Sequence, residues 1–371
     1  MTIQSASEYP TIHEIVKAAR NNLSQGVWDY VVGATDSETT LRRNRMALDS
    51  IAFRPRVMRD VSKRSAKASF MGRDLRMPVI LAPVGTLEMV RDEGAAIPAK
   101  ASEIFNVIHM LSSRCGPGLE ETAAAADNHR IFQLYVRGDH KWQDDHVKRA
   151  MDNGYFAFAV TVDLDHYTRR ERDHANRYFH KSRQQAVDDP VGVARQKSYQ
   201  EGWNWDDVKR FKDKFDIPFI LKGIGCVEDA VTAVKHGVDC IYVTNHGGRG
   251  LDAGRGSIEV LPEIVDAVGG KAKIVYDGSV TRGSDIVKAM ILGADAVGVG
   301  RLQCMGMAAA GVPGVLRVLE LLEEEILICM GLMGVNSWNE LDKSYICKAE
   351  PVTEPHVFSQ HPMIAFEPHL Y

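Results

Sequence analysis

The chain predicts an α/β fold, a (β/α)8 TIM barrel with an N-terminal helical segment and a long loop after strand 4. Eight short β-rich apolar runs recur in order: Val79–Ala82, Val107–Leu111, Ile131–Val136, Phe156–Val162, Phe219–Leu221, Cys240–Val243, Ile274–Tyr276 and Ala296–Val299. Most are separated by one segment of helical length and period, and a doubly wound open sheet would more often use five or six strands. Each run also gives way abruptly to polar residues at its carboxyl end, where barrels of this kind carry their working groups.

Each element follows from local pattern. Residues 1–50 form a helical preface, because Ile12, Ile15, Val16, Ala19 and Leu23 recur at helical spacing and suit a lid or plug helix packed on the barrel. Val227–His236 starts with Glu228-Asp229, and Ser284–Leu292 follows Arg282-Gly283, both acceptable helix starts. About sixty residues separate the fourth and fifth runs, against roughly twenty to thirty-five elsewhere, so something is inserted there. The insert, residues 165–200, is dense in Arg, His, Asp and Gln; a lid and a disordered loop both fit that composition. Residues 352–371, rich in Pro and His, read as a tail packed on the outside or on a neighbouring subunit. The whole of 1–371 then makes a single domain.

Composition narrows the function. With 45% hydrophobic and 25% charged residues the chain is ordinary globular material. Its 45 basic and 49 acidic residues are scattered and give a net charge of -4, so no nucleic-acid partner is expected. The six cysteines form no Cys-x-x-Cys pair, which favours reduced thiols and no metal site. No stretch approaches the roughly 20 apolar residues of a spanning helix, and Pro368-His369-Leu370-Tyr371 is not a recognised address. A soluble, cytoplasmic protein without a membrane partner is the expectation.

The strand ends carry the chemistry. Thr244-Asn245-His246-Gly247-Gly248-Arg249 places an imidazole and a guanidinium three residues apart on a glycine-rich turn after the sixth run. The first run ends in Pro83-Val84-Gly85-Thr86, the second in Ser112-Ser113, the third carries Gln133 and Tyr135, and the fourth ends in Thr161-Val162-Asp163. Lys222 ends the fifth, where burial is costly unless something anionic meets it; a Schiff base is one option and charge stabilisation of a reduced ring is the other. Asp163 suits an orienting partner for His246, or a turn former. Asp277-Gly278-Ser279-Val280-Thr281-Arg282-Gly283 and Gly300-Arg301 end the seventh and eighth, where such barrels commonly hold phosphate.

These residues resemble the FMN-dependent α-hydroxy acid oxidases and dehydrogenases, over nearly the whole chain. The match includes Trp28-Asp29-Tyr30, Asn44-Arg45, Phe53-Arg54-Pro55-Arg56, Leu111-Ser112-Ser113, Phe132-Gln133-Leu134-Tyr135, Thr161-Val162-Asp163, Arg169-Arg170-Glu171, Leu221-Lys222-Gly223, Asn245-His246-Gly247-Gly248-Arg249 and Gly300-Arg301. The resemblance implies His246 as base, Asp163 behind it, Tyr135 on the substrate hydroxyl, and Arg170, Arg249 and Tyr30 on the substrate carboxylate. Lys222 would face the N1 and C2 carbonyl edge of FMN. Pro83, Val84, Gly85, Ser112, Gln133, Thr161 and Thr244 would hold its ring, with Asp277, Gly278, Ser279, Val280, Thr281, Gly300 and Arg301 on ribityl and phosphate. The implied reaction is oxidation of a small 2-hydroxy acid to the 2-oxo acid by a homo-oligomer, a tetramer by resemblance, with oxygen or another acceptor taking the electrons.

Departures bear on substrate and acceptor. Thr281 stands where many relatives have a phosphate-side arginine, and Arg114 stands where glycolate oxidase-like members have an aromatic residue. Arg114 either contacts a second acidic group of the substrate or points to solvent. Gly85 in place of alanine hints at a monooxygenase-like outcome. The alternatives are a dehydrogenase with a non-oxygen acceptor, oxidative decarboxylation of the lactate monooxygenase kind, a non-redox FMN isomerase, a Lys222 Schiff-base aldolase, and a catalytically silent barrel.

Overall fold

The eight predicted runs are the eight strands of one closed parallel barrel: Val79–Leu81, Ile108–Ser112, His129–Leu134, Ala157–Thr161, Phe219–Ile224, Cys240–Val243, Lys273–Tyr276 and Ala296–Val299. The computed structural model describes residues 8–166, 168–178 and 190–361. Strands pair in chain order, and the eighth closes on the first through Val297↔Val79 and Val299↔Leu81. The predicted helices after the fifth and seventh strands run Val227–Lys235 and Gly283–Ile291.

Alternation along the strands builds two cores. Inward side chains Ile80, Ile108, Met110, Ile131, Ala159, Ile220, Tyr242 and Val275 fill the barrel interior, and outward ones pack against the helices. Phe70 and Leu75, from the hairpin Ala68–Phe70 and Arg73–Leu75, join the interior cluster and close the barrel floor. Burying Phe70 completely stabilises the fold by about 1.5–3 kcal/mol. Above the apolar layer the register puts Ser112 beside Gln133, and Thr161 beside Lys222 beside Tyr242. The inward face thus turns polar only at the carboxyl ends of the strands.

The preface consists of helices Ile12–Asn22, Gln25–Val32 and Thr39–Asp49. The first packs on the flank of the barrel, against Arg301–Ala310 and Val312–Met333, as its buried stripe of Ile12, Ile15, Val16 and Ala19 requires. The second carries Tyr30 to the barrel mouth.

The described part of the insert is partly helical. It contains helices Glu171–Ala175 and Pro190–Glu201; positions 167 and 179–189 lie outside the described residues. Gln200 anchors the longer helix: its amide oxygen accepts from the Val136 N–H at 2.6 Å and its amide nitrogen donates to the Thr161 carbonyl at 2.9 Å. The tail packs back on the preface, with Phe358 stacked on Trp28 and His361 edge-on to His13; its positions 362–371 lie outside the described residues. Among the described residues no helix is long and apolar enough to cross a membrane.

Candidate active site

The glycine-rich turn after the sixth strand bends sharply over the barrel mouth. His246, Gly247 and Gly248 have φ of +59°, +64° and +79°, the left-handed region that a histidine adopts only where its surroundings hold it. Glycine is required next to it: a Cβ on Gly248 would stand 2.7 Å from the Leu41 backbone nitrogen. Reciprocal amide bonds between Asn44 and Asn245, at 2.8 and 2.7 Å, tie the turn to the preface. The His246 N–H donates to Thr244 Oγ1 at 2.9 Å.

Held this way, His246 meets two partners. Its Nδ1 is 2.9 Å from Asp163 Oδ1, and its Nε2 is 3.1 Å from the Tyr135 hydroxyl. A carboxylate only accepts, so the neutral imidazole carries its proton on Nδ1 and presents the Nε2 lone pair to the Tyr135 O–H. Burial lowers the imidazole's pKa and the Lys222 ammonium lowers it further; Asp163 pulls in the opposite direction without reversing the outcome. Burial alone would raise the Asp163 carboxyl, but His246 and Lys222 hold it below the usual carboxylate range. Asp163 is boxed in: a Cβ on Gly223 would lie 2.7 Å from its Cβ, and one on Gly250 would lie 2.8 Å from its carbonyl oxygen. Gly223 also sits in a bulge of the fifth strand at φ +122°. Lys222 is buried beside this pair, 5.3 Å from the centre of the Tyr242 ring.

Three guanidiniums converge near the imidazole. Arg249 donates to the Tyr30 and Val31 carbonyls at 2.5 Å each, and Arg249 and Arg170 lie 5.3 and 5.0 Å from the Tyr30 ring centre. Arg301 donates to the carbonyls of Gly33 and Gly247, both at 2.9 Å. Burial and the neighbouring Arg170 push Arg249 down to about 10, and burial with Arg249 pushes Arg301 down to about 9. Desolvated like charges of this kind call for anions. Arg170 is set in place by its neighbours: the Thr168 hydroxyl donates to the Arg249 carbonyl at 2.9 Å, and the Arg169 carbonyl accepts from the Asp36 N–H at 2.8 Å.

All of this surrounds one cavity of about 580 Å³. Among the predicted site residues, Tyr30, Arg114, Tyr135, Arg170, Lys222, His246 and Arg249 line it. So do Pro83, Val84 and Gly85 after the first strand, Asp277 to Thr281 after the seventh, and Gly300-Arg301 after the eighth. Ser112, Gln133, Thr161, Asp163 and Thr244 stand behind that wall and do not line it. Asp277 accepts from the Tyr242 hydroxyl at 2.9 Å and from the Thr244 hydroxyl, so strand residues hold its carboxylate in place. Cys304 also faces the cavity, but burial pushes its thiol up to about 12, which leaves it protonated and a poor nucleophile.

The donor set fits FMN. Gln133 Oε1 and Nε2, Thr161 Oγ1, Ser279 Oγ, Thr281 Oγ1 and Arg301 Nε are buried with no hydrogen-bond partner among the described residues. Buried polar atoms are ordinarily paired. Amide and hydroxyl groups at one side suit the polar edge of a flavin ring, and hydroxyls with a guanidinium at the other suit a phosphate.

Several contributors were not apparent in the sequence. Arg45 is fully buried and grips Asp285 at 2.8 and 2.9 Å while donating to the Ser279 carbonyl at 2.8 Å, which fixes the loop after the seventh strand. Val193, Gln196, Lys197 and Gln200 of the insert helix line the cavity, as does Arg137. Tyr242, inside an apolar run, gave no polar signal.

Comparison with known proteins agrees with this geometry. A sequence model for FMN-dependent dehydrogenases matches residues 19–348. The chain is 34% identical to a 2-hydroxyacid oxidase of Dictyostelium discoideum, over 91% of this chain and 90% of that one. It is 35% identical to glycolate oxidase 3 of Arabidopsis thaliana, over 91% and 96%, and 33% identical to an L-lactate oxidase of Nostoc, over 90% and 97%. A solved mandelate oxidase with (S)-2-phenylpropionate superposes with a TM-score of 0.83 at 34% identity, covering 93% of this chain and 100% of that one.

Proposed function

We infer the activity from one premise: the chain belongs to the FMN-dependent dehydrogenase family. It is an oxidoreductase that converts a 2-hydroxy acid to the 2-oxo acid. The observation that carries the reading for this chain is the linear relay Asp163–His246–Tyr135 opening onto a cavity ringed by Arg170, Arg249 and Lys222. Bound FMN supplies the two-electron acceptor for the substrate α-carbon.

The chain's own residues do the rest. Arg249 and Arg170 grip the substrate carboxylate in charge-assisted bonds, beside the Tyr30 ring. His246 Nε2 takes a proton of the substrate CH–OH group, and Tyr135 steers the hydroxyl toward it. Asp163 keeps the imidazole in the accepting tautomer and stabilises the imidazolium that forms. With FMN bound, the backbone of Pro83 to Gly85 would hold its ring, with Ser112, Gln133, Thr161 and Thr244 behind it, Lys222 would face the edge that gains negative charge, and Asp277 to Thr281, Gly300 and Arg301 would hold ribityl and phosphate. Oxygen as the final acceptor is supported by the oxidases among the relatives. Cytoplasmic residence is supported by six free cysteines, and a homotetramer by the family resemblance.

An anaerobic screen of 2-hydroxy acids against the FMN-loaded protein tests the reading. Bleaching of the flavin, with stoichiometric 2-oxo acid, is the expected result, and rapid recovery of colour in air identifies an oxidase. A flavin that no 2-hydroxy acid reduces refutes it, and a borohydride-trapped adduct on Lys222 would restore the aldolase alternative.

A further inference from the structure

We propose that residues 356–361 of the C-terminal tail form a strap that retains FMN in the cavity, by tying the helix that carries Tyr30 to the loop after the seventh strand. The family model stops at residue 348, so family membership assigns this segment no role. The inference rests on FMN as the occupant of the cavity.

The tail leaves strand Ile346–Lys348, which pairs with Ile51–Phe53 beside the preface, and then turns back to the barrel mouth. Val357 lines the cavity and is only 5% exposed, so an apolar side chain of the tail is part of its wall. Next to it Phe358 stacks on Trp28, with ring centres 5.5 Å apart and planes 11° from parallel. Trp28 belongs to helix Gln25–Val32, whose Tyr30 and Val31 carbonyls hold Arg249. Farther along, Arg282 donates to the Gln360 carbonyl at 3.0 and 3.3 Å, and the Ser359 hydroxyl and Gln360 amide both donate to Asp49. Arg282 directly follows Thr281, and Asp49 pairs with Arg45, which in turn holds Asp285 and the Ser279 carbonyl. His361, 2% exposed, closes edge-on against His13 of the first helix.

The strap therefore touches both parts of the site that must stay in register around a bound cofactor. Its release would uncover the wall at Val357 and would loosen Arg282 and Asp49 beside the loop that carries the buried Ser279 and Thr281 hydroxyls. Water would then reach the cavity, and polar contacts to a phosphate weaken as the local dielectric rises. Thermodynamic linkage makes the effect reciprocal: if docking of the strap tightens FMN, FMN tightens docking by the same factor.

Two readouts test this on the full-length chain. Flavin fluorescence after dilution of the holoenzyme gives the rate of FMN release, and amide hydrogen exchange of peptides covering 356–361 gives the docking equilibrium. Phe358→Ala deletes the stacked ring and should quicken FMN release by about tenfold or more. Gln360→Ala leaves the core untouched, removes one bond to a carboxylate, and should quicken release by about two- to tenfold. Val352→Ser, at a tail position 98% exposed, should release FMN as wild type does. In wild type, exchange over 356–361 should be slower with FMN than without it, whereas a tail that only braces the fold would exchange alike in both. Equal exchange in the two forms, or FMN release at the wild-type rate from either variant once its tail exchanges fast, overturns the strap and leaves FMN binding standing. A wild-type chain that takes up no FMN overturns the cofactor assignment as well.

Discussion

Replacing Asp163 by Asn keeps the size of the side chain and removes its charge, so it isolates what the carboxylate does for His246. The two groups are 2.9 Å apart, with side chains only 14% and 13% exposed. Unit charges at about 4 Å and an effective dielectric of about 20 interact by about 4 kcal/mol, or roughly a thousandfold in rate if the imidazolium is fully formed in the transition state. An Asn amide can also donate to Nδ1, which puts the proton on Nε2 and removes the base altogether. Stopped-flow flavin reduction should therefore slow by about 10²- to 10⁴-fold. The pH profile adds a signed test. Reduction needs neutral His246, so the rate rises with pH through the imidazole pKa. Asp163 raises that pKa against burial and Lys222, so its loss should move the acid limb to lower pH and lower the plateau. An unchanged plateau, or a limb that moves to higher pH, would refute the assigned role.

Tyr135→Phe deletes one neutral hydrogen bond to Nε2, worth about 0.5–1.5 kcal/mol, and should slow flavin reduction by at most about tenfold, well short of Asp163→Asn. Arg249→Lys replaces a guanidinium fixed by two carbonyls with a point charge; KM for the 2-hydroxy acid should rise by about tenfold or more, read from initial rates, with the flavin spectrum unchanged. Gly223→Ala puts a methyl group 2.7 Å from Asp163 at φ +122°; denaturant titration should show a loss of about 1–3 kcal/mol.

The sequence was most informative where a physical conflict is local. An imidazole, a guanidinium and a lysine at the ends of apolar strands are costly unless something meets them, and that cost is readable from one strand at a time. His246, Arg249, Lys222 and the glycines of the seventh and eighth loops were legible for that reason. Arg45 was not, because its meaning lies in Asp285, some 240 positions away, and a charged residue on an amphipathic helix ordinarily faces solvent. Tyr242 was hidden by its own hydrophobicity: in a strand buried on both faces, nothing marks the one residue whose hydroxyl reaches Asp277. The barrel floor escaped because strands Ala68–Phe70 and Arg73–Leu75 are too short to show a period. The insert's helix Pro190–Glu201 was not legible because two bonds from Gln200 hold it more than an apolar stripe does.

The same conflicts explain why the site is built at the expense of stability. Gln133, Thr161, Ser279, Thr281 and Arg301 bury polar atoms that no described residue satisfies, and each such atom costs about 1–3 kcal/mol. Arg301 and Arg249 add two guanidiniums pushed well below their usual pKa by burial, with Arg249 acting on Arg301 and Arg170 on Arg249. A fold selected for stability alone would place apolar residues there. The surrounding framework carries the load: Arg45 locked to Asp285 and Ser279, Asn44 to Asn245, and Gln200 across two strand ends. These contacts keep the polar ring open and aligned toward the cavity. Sequence positions that look unfavourable in isolation, and the distant residues that hold them there, are therefore two halves of one arrangement.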